Sequence, residues 1–213
     1  MKVLLTSGAT REPIDAVRFL SNVSTGATGA ALADVLTAAG HEVTLLHGEG
    51  AVRPQGGATC GGFSSTEHLA QRLRAALADG SYDVVIQAAA VADYRPAVVH
   101  DGKLSSYEDE ITIRLVPTPK LLPQIKEWSP RPLRVVGFKL THGADEARRA
   151  VAVGRVFAAG GVDVVVHNDL QEMHQVGAGR LFRIYHAGDS AALARPAGVP
   201  SLCAWLEHWV RGT

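Results

Sequence analysis

The chain has 213 residues, and its 21 Lys and Arg are matched by 21 Asp and Glu, so the net charge is zero with His neutral. That balance excludes a nucleic-acid binder built on a broad basic surface, but leaves room for a local basic pocket holding a small phosphorylated ligand. Hydrophobic residues at 46% and charged residues at 20% are ordinary for a globular protein, and no apolar run approaches the roughly 18 residues of a membrane span.

The chain opens on an apolar run, Lys2–Thr6, that reads as a strand. Thr28–Ala39 carries Leu32, Val35, Leu36 and Ala39 at helical spacing, and Gly40 stops it. Glu42–His47 reads as a second strand and Gly48–Gly62 as a loop. Thr66–Ala78 is a helix with Leu69, Leu73 and Leu77 on one stripe, and Asp83–Ala89 is a buried strand. A long loop covers 93–110, and Ile111–Val116 alternates with period two. Thr118 and Pro119 suit the start of a helix running to about Trp128. Arg134–Leu140 is a strand, Asp145–Ala159 a helix ended by Gly160 and Gly161, and Asp163–His167 a strand. Arg180–His186 is the last strand, and helical segments over Ser190–Trp209 are broken around Pro196 and Pro200. Cys60 and Cys203 have no CxxC partner and read as reduced thiols in a cytoplasmic protein, with a single disulfide between them left open. The short apolar start of MKVLLTSGAT does not make a signal peptide.

Strand and helix in alternation, with nearly continuous apolar strands, predict a doubly wound, mostly parallel α/β sheet with helices on both faces. The expected organisation is one Rossmann-like domain over 1–213, with 97–117 as a loop and strand forming a lid or dimer contact. Ligands in such folds lie at the carboxyl ends of the strands.

The stretch STGATG invites a dinucleotide reading, as in a NAD(P)-dependent reductase. Three features oppose it. The strand proper lies some way upstream, and Leu32 stands where a third glycine would permit close helix–strand approach. His47-Gly48 occupies the place of the usual ribose-binding acid. Ser24, Thr25, Gly26 and Gly29 still precede a helix, whose free N–H groups suit a phosphate; an ordinary hydroxyl cap is the competing reading.

Four strand-end segments carry unusual polar content. Ser7–Asn22 supplies Arg18, a forked donor for phosphate or carboxylate, and Asn22, an amide suited to a carbonyl or oxyanion. Alternatively, Arg18 merely pairs with Asp15 or Glu12 and Asn22 shapes a turn. Ala88–Pro96 offers small residues for a flat ring and Asp93 for ribose hydroxyls; a packed strand end with a turn-forming Asp is the alternative. Gly102–Ser106 carries Lys103, either a ligand contact or a solvated loop lysine, and Gly137–Lys139 carries Phe138, which suits base stacking or the core.

SGATREPIDAVRFLSN with STGATG, then AAAVADYRP, GKLSS, TPKLL, GFKL and HNDL, resembles the phosphopantothenate–cysteine ligase family in order and spacing. KLSS with GFKL resembles its small stand-alone bacterial form, and the flavin decarboxylase half of fused members has no counterpart here. The resemblance implies that 4′-phosphopantothenate and L-cysteine are joined through an acyl-nucleotidyl intermediate, with CTP more expected than ATP. It implies Arg18 and Asn22 at phosphopantothenate and Lys103 at the nucleotide phosphates. It implies Gly8, Thr10, Ser24, Thr25, Gly26 and Gly29 as a phosphate cradle, and Ala88, Ala89, Asp93, Pro119 and Phe138 around the nucleotide. Arg155 answers to one of two helix lysines of the family, while Ala159 stands at the other; Ala9 replaces a glycine, and Ala27-Thr28 a Lys-Met pair. Mg²⁺ is expected with the triphosphate, without assigned protein ligands. The resemblance further implies a homodimer; a non-catalytic nucleotide-binding module and a reductase are the competing functions.

Overall fold

The computed structural model describes residues 1–107, 109–173, 180–189 and 191–212. Seven strands form one sheet in the order β5-β4-β1-β6-β9-β10-β11, with β1 at Lys2–Ser7, β4 at Glu42–Gly48, β5 at Thr59–Phe63, β6 at Val84–Gln87, β9 at Arg134–Thr141, β10 at Val164–Asp169 and β11 at Phe182–His186. All neighbours pair in parallel except β10 and β11. The chain therefore runs outward from β1 to β5, then returns to β6 and runs the other way. The reversal falls between β1 and β6, where the loops leaving two adjacent strands part and open a crevice.

The apolar strands are continuous because both faces are covered. Val3, Leu5, Val136 and Val166 pack against Leu32 and Leu36 of α1 (Ala27–Ala38) and Leu202, Leu206 and Val210 of α5 (Gly198–Arg211). The alternate residues Leu4, Val85, Val135 and Val165 face Leu69, Leu73 and Leu77 of α2 (Thr66–Leu77), Val153 of α3 (Glu146–Ala158) and Ile125 of a 3-10 helix, Leu122–Trp128. Each fully buried leucine contributes about 1.5–3 kcal/mol relative to exposure. Helix α2 starts where Ser65 accepts the His68 N–H at 3.2 Å, and α3 where Asp145 accepts the Arg148 N–H at 2.8 Å.

The doubly wound sheet matches the sequence expectation; several local features do not. The predicted loop 48–62 contains the edge strand β5, whose Cys-Gly-Gly sequence lacks the usual strand signature. The segment after β1 holds a small antiparallel hairpin, β2 (Arg11–Pro13) with β3 (Phe19–Ser21), that the sequence reading missed. The strand expected at Ile111–Val116 is limited to β8, Leu115–Pro117, paired with β7, Tyr94–Pro96. Pro119 does not open an α-helix; the following turns are 3-10, with Pro123 in the first. The C-terminal helix is unbroken from Gly198, because Pro200 lies in its first turn, where no N–H is needed. A four-residue α4, Leu170–Met173, follows β10.

Helix α1 lies close on the end of β1 because residue 29 has no side chain: a Cβ there would stand 2.4 Å from the Ser7 Cβ. Gly29→Ala should thus push α1 off the sheet and cost about 1–3 kcal/mol. A thermal unfolding midpoint several degrees below the parent is the expected result.

Candidate active site

The crevice has a backbone floor. The Ala90 N–H donates to the Gly8 carbonyl at 2.8 Å, and the Thr10 N–H donates to the Ala90 carbonyl at 3.2 Å. The Ala89 N–H reaches the Thr6 hydroxyl at 3.1 Å, and the Ala92 N–H the Thr10 hydroxyl at 3.0 Å. Thr10 is buried, and its hydroxyl also lies 3.2 Å from that of Thr66. Its side chain is thereby occupied in joining the loops after β1 and β6. Thr118 completes the floor: its N–H donates to the Asp93 carbonyl at 3.0 Å and its hydroxyl to the Ala92 carbonyl.

The hairpin rises from this floor and turns on Asp15, whose side chain is buried. The Asp15 carboxylate accepts the Val17 N–H at 2.8 Å, the Arg18 N–H at 2.7 Å, the Arg18 Nη1 at 2.7 Å and the Leu104 N–H at 3.0 Å. Arg18 Nη1 also donates to the Leu104 carbonyl at 3.3 Å, and the Ala16 N–H to the Gly102 carbonyl at 2.9 Å. Burial alone would raise the Asp15 pKa; the N–H groups of Val17, Leu104 and Arg18 and the guanidinium charge outweigh it and hold the carboxyl at about 2. Residues on both sides of Lys103 are therefore tied to the Asp15–Arg18 turn, bringing Lys103 beside Arg18 although they are distant in sequence. Glu12 is not the partner of Arg18: it is buried and accepts the Thr66 N–H and hydroxyl, at 2.9 and 2.7 Å, at the start of α2. Asn22 follows the hairpin, and its Nδ2 donates to the Val91 carbonyl at 3.1 Å, leaning the hairpin over the β6 loop.

Gly8, at φ 77°, and Gly26, at φ 76°, bring the end of β1 against the start of α1; a Cβ on Gly26 would stand 3.2 Å from the Gly8 N. Helix α1 has no side-chain cap from its N-cap residue Gly26 and no acid in its first turn; Ser24 and Thr25 lie just before it, half-buried and exposed, and the Thr25 hydroxyl accepts the Ala27 N–H at 3.4 Å. Ala88 and Ala89 are half-buried at the end of β6, and Phe138 packs partly against the α1–α5 side. Pro119 is exposed beside Asp93, whose carboxylate pairs with Lys120. Arg155 stands apart: it lies in the last turn of α3. That helix starts at the crevice end of the sheet, so Arg155 is roughly 13 Å along the axis from it.

The sequence reading missed the far wall, at the ends of β9 and β10. Asp169 accepts the Gly143 and Ala144 N–H groups at 2.8 and 3.0 Å and the Thr141 hydroxyl at 2.6 Å. With its proton on Asp169, the Thr141 hydroxyl can only accept from His167 Nε2, 2.8 Å away. The buried imidazole is held neutral as the Nε2–H tautomer, with its pKa lowered to about 4 by burial and by Arg149 and Arg183. The acidic residue that ends the buried strand β10, Asp169, was the available signal. Cys60 and Cys203 are both free thiols, and burial pushes Cys203 up to about 11. Among the described residues, no helix is long and apolar enough to cross a membrane.

Asp15→Asn removes the charge that gathers these loops and should expose the Lys103–Leu104 bond to trypsin, with cleavage at least five-fold faster by peptide mapping. Because the folded pKa lies below the ordinary value of 3.8, the clasp contributes fully above about pH 4 and is lost as pH falls through about 2.

The model of the DNA/pantothenate metabolism flavoprotein C-terminal domain matches residues 1–185. The chain is 35% identical over 170 residues to the coenzyme A biosynthesis bifunctional protein CoaBC of Thermococcus kodakarensis, covering 80% of this chain and 41% of that protein. It is 35% identical over 173 residues to the protein of the same name from Bacillus subtilis, covering 79% of this chain and 40% of that one. It thus spans less than half the length of these curated relatives. The crystal structure of the DNA/pantothenate metabolism flavoprotein from Streptococcus pneumoniae superposes with a TM-score of 0.87 at 24% identity, covering 100% of this chain and 99% of that one. The C-terminal domain of a coenzyme A biosynthesis bifunctional protein CoaBC superposes with a TM-score of 0.75 at 25% identity, covering 100% and 96%. With the match running through every element that builds the crevice, the chain belongs to the family of the DNA/pantothenate metabolism flavoprotein C-terminal domain.

Proposed function

We propose that this protein is a ligase that joins 4′-phosphopantothenate to L-cysteine in coenzyme A synthesis. The observation that carries the reading is the Asp15 clasp, which sets a guanidinium and an ammonium-bearing loop at the strand reversal beside the Asn22 amide held on Val91. The names of the CoaBC relatives point the same way.

A carboxylate is a poor acyl donor until its oxygen becomes part of a good leaving group. In the first step a carboxylate oxygen of phosphopantothenate attacks the α-phosphorus of CTP. The α–β phosphoanhydride bond breaks and pyrophosphate leaves, giving an acyl-cytidylate. In the second step the cysteine amine attacks the acyl carbon, the C–O bond breaks, CMP leaves and the amine gives up a proton. Both reactants are anionic, so the site needs cations and N–H donors placed in advance. Arg18 keeps donors beyond Nη1 for phosphopantothenate, Lys103 faces the triphosphate, and Asn22 holds the acyl oxygen. Asp93 takes the ribose, with Ala88, Ala89, Pro119 and Phe138 around the nucleotide. Gly8 and the Ser24–Gly29 segment receive phosphate oxygens. These donors are cations, an amide and backbone N–H groups, which suit phosphate oxygens rather than a metal, so no protein ligand is assigned to Mg²⁺. Mg²⁺ would ride on the triphosphate and water and draw charge from the leaving group.

The reductase alternative loses its structural basis, because β1 ends at Ser7 and α1 begins at Ala27, with a hairpin where the dinucleotide fold has a tight turn. The β7–β8 ribbon stands off the main sheet, and Ile111, Ile113 and Leu115 leave 43, 38 and 44% of their surface exposed. Two-stranded ribbons are marginal alone, and a second copy of the chain covers this one in a homodimer. Sedimentation as a monomer at high concentration would remove that part of the proposal.

Phosphopantothenate, CTP and Mg²⁺ without cysteine should release about one equivalent of pyrophosphate per site, and cysteine should then start turnover. Lys103→Gln should slow the pyrophosphate burst by about a hundredfold or more with an unchanged thermal midpoint, the loss expected for one preorganised cationic donor. Nucleotide binding without pyrophosphate release would mark a binding module.

A further inference from the structure

Strand β11 runs antiparallel to β10, and its first residue, Phe182, pairs with Asn168 near the end of β10. Residue 180 therefore lies at the same edge of the sheet as the crevice. Its backbone is fixed there: the Gly198 N–H donates to the Arg180 carbonyl at 2.7 Å, and Leu181 bridges Ala197. The guanidinium stacks over Phe182, 5.0 Å from the ring centroid, and Nη1 donates to the Thr28 hydroxyl at 2.9 Å. Thr28 is the second residue of α1, so a cation from the far side of the sheet is held across that helix's first turn.

Arg180 makes no ion pair with any carboxylate among the described residues, and its buried Nε has no partner there. Burial alone lowers its pKa, with no acid compensating. Arg183, three residues on, has both terminal nitrogens on Glu172 at 2.6 and 2.8 Å. A second unused group lies beside the first turn. Ser7 is 1% exposed, its hydroxyl has no partner, and it stands 3.4 Å from where a Cβ on Gly29 would be. The N-cap residue Gly26 supplies no side-chain cap, the Ala27 N–H makes only a long 3.4 Å bond to the Thr25 hydroxyl, and the turn is free of acids. Half-burying a cation without a counter-charge is costly. Here it sits with an unpaired hydroxyl and an open helix start, an arrangement that an anion with several oxygens would complete.

We propose that Arg180 is a phosphate-binding residue of this site, holding with the first turn of α1 the terminal phosphates of the nucleoside triphosphate and the pyrophosphate they become. The assignment of that anion rests on the ligase reading. As the α–β bond breaks, negative charge grows on the departing oxygen, and a guanidinium on the β and γ phosphates favours that charge over the intact anhydride. Thr28 is a positioning residue that holds the fork in place.

The test is calorimetric titration of the full chain with inorganic pyrophosphate in excess Mg²⁺, beside steady-state kinetics. Arg180→Met should weaken pyrophosphate about tenfold or more, as expected for a lost charge-assisted hydrogen bond. Arg180→Lys should recover part of the loss, and Thr28→Val should cost a few-fold. KM for CTP should rise in step, while KM for phosphopantothenate and for cysteine stays within two-fold. A folded Arg180→Met that binds pyrophosphate as the parent does would overturn the proposal, as would no measurable pyrophosphate binding by the parent. If Arg180→Met does not fold, Thr28→Val, which removes only the anchoring hydroxyl, decides by the same readout. A parent that binds pyrophosphate through Arg180 but makes no product from phosphopantothenate, CTP and cysteine would sink the ligase reading alone.

Discussion

The strand reversal imposes the constraint that organises this protein. Chains leaving β1 and β6 depart from neighbouring strands toward opposite sides, which opens a crevice and leaves peptide groups beyond each strand without ladder partners. Those groups pair with one another, Gly8 and Thr10 with Ala90 and Thr10 with Ala92, so the sheet is extended by a short stitched floor. Everything above is hung from it. The β2–β3 hairpin starts at Thr10, Asn22 returns to Val91, and Thr118 fastens the start of the 3-10 segment to Ala92 and Asp93. Buried peptide groups tolerate little rearrangement once paired, so three loops far apart in sequence share one rigid base.

The far wall follows the same logic with side chains. Asp169 gathers the Gly143 and Ala144 N–H groups and the Thr141 hydroxyl, which fixes the loop between β9 and α3 and orients His167 behind it. The Asp169 carboxyl is held well below the usual range: burial works against ionisation and the hydrogen bonds overcome it. With His167 neutral beneath, the Asp169–Thr141–His167 chain keeps one charge state through the neutral range. Its contribution to the crevice is shape rather than titration.

The sheet was legible in the sequence because buried parallel strands are written as unbroken apolar runs, as in Val84–Ile86 and Val164–Val166, and α2 because its leucines recur at helical spacing. The hairpin was not legible. Phe19, Leu20 and Ser21 form a strand through the Asp15 turn and the β2 partner, with no buried face to set an alternating pattern. Strand β5 was hidden for a similar reason: an edge position lets Gly61 and Gly62 pair through backbone alone. At the site, the residue types of Arg18, Asn22 and Lys103 were visible from their chemistry, but not what joined them. Asp15 reads as an ordinary acid near an arginine until Leu104 is seen to donate to it. Arg180 carried no signal, since its partner Thr28 lies at the other end of the chain.

The clasp also divides the work between its two cations. Asp15 remains ionised far below neutral pH and contacts Arg18 from the buried side, so much of the guanidinium's charge is already balanced. Arg18 then attracts an approaching anion weakly at a distance, but offers donors in a fixed direction once the anion has arrived. Lys103 is exposed and forms no ion pair among the described residues, so its charge is uncompensated while the peptides beside it are tied down. In the ligase reading a chain with no net charge cannot draw in its triphosphate by an overall field. It depends on local cations left unbalanced, which pull in the ligand, beside balanced ones, which orient it. In the ligase reading that difference assigns Lys103 to the step in which negative charge builds on phosphate oxygens. Arg18 falls to holding the acid whose carboxylate must point at phosphorus. A lysine in place of Arg18 would keep the charge beside Asp15 and lose the second set of planar donors, so orientation would fail before attraction did.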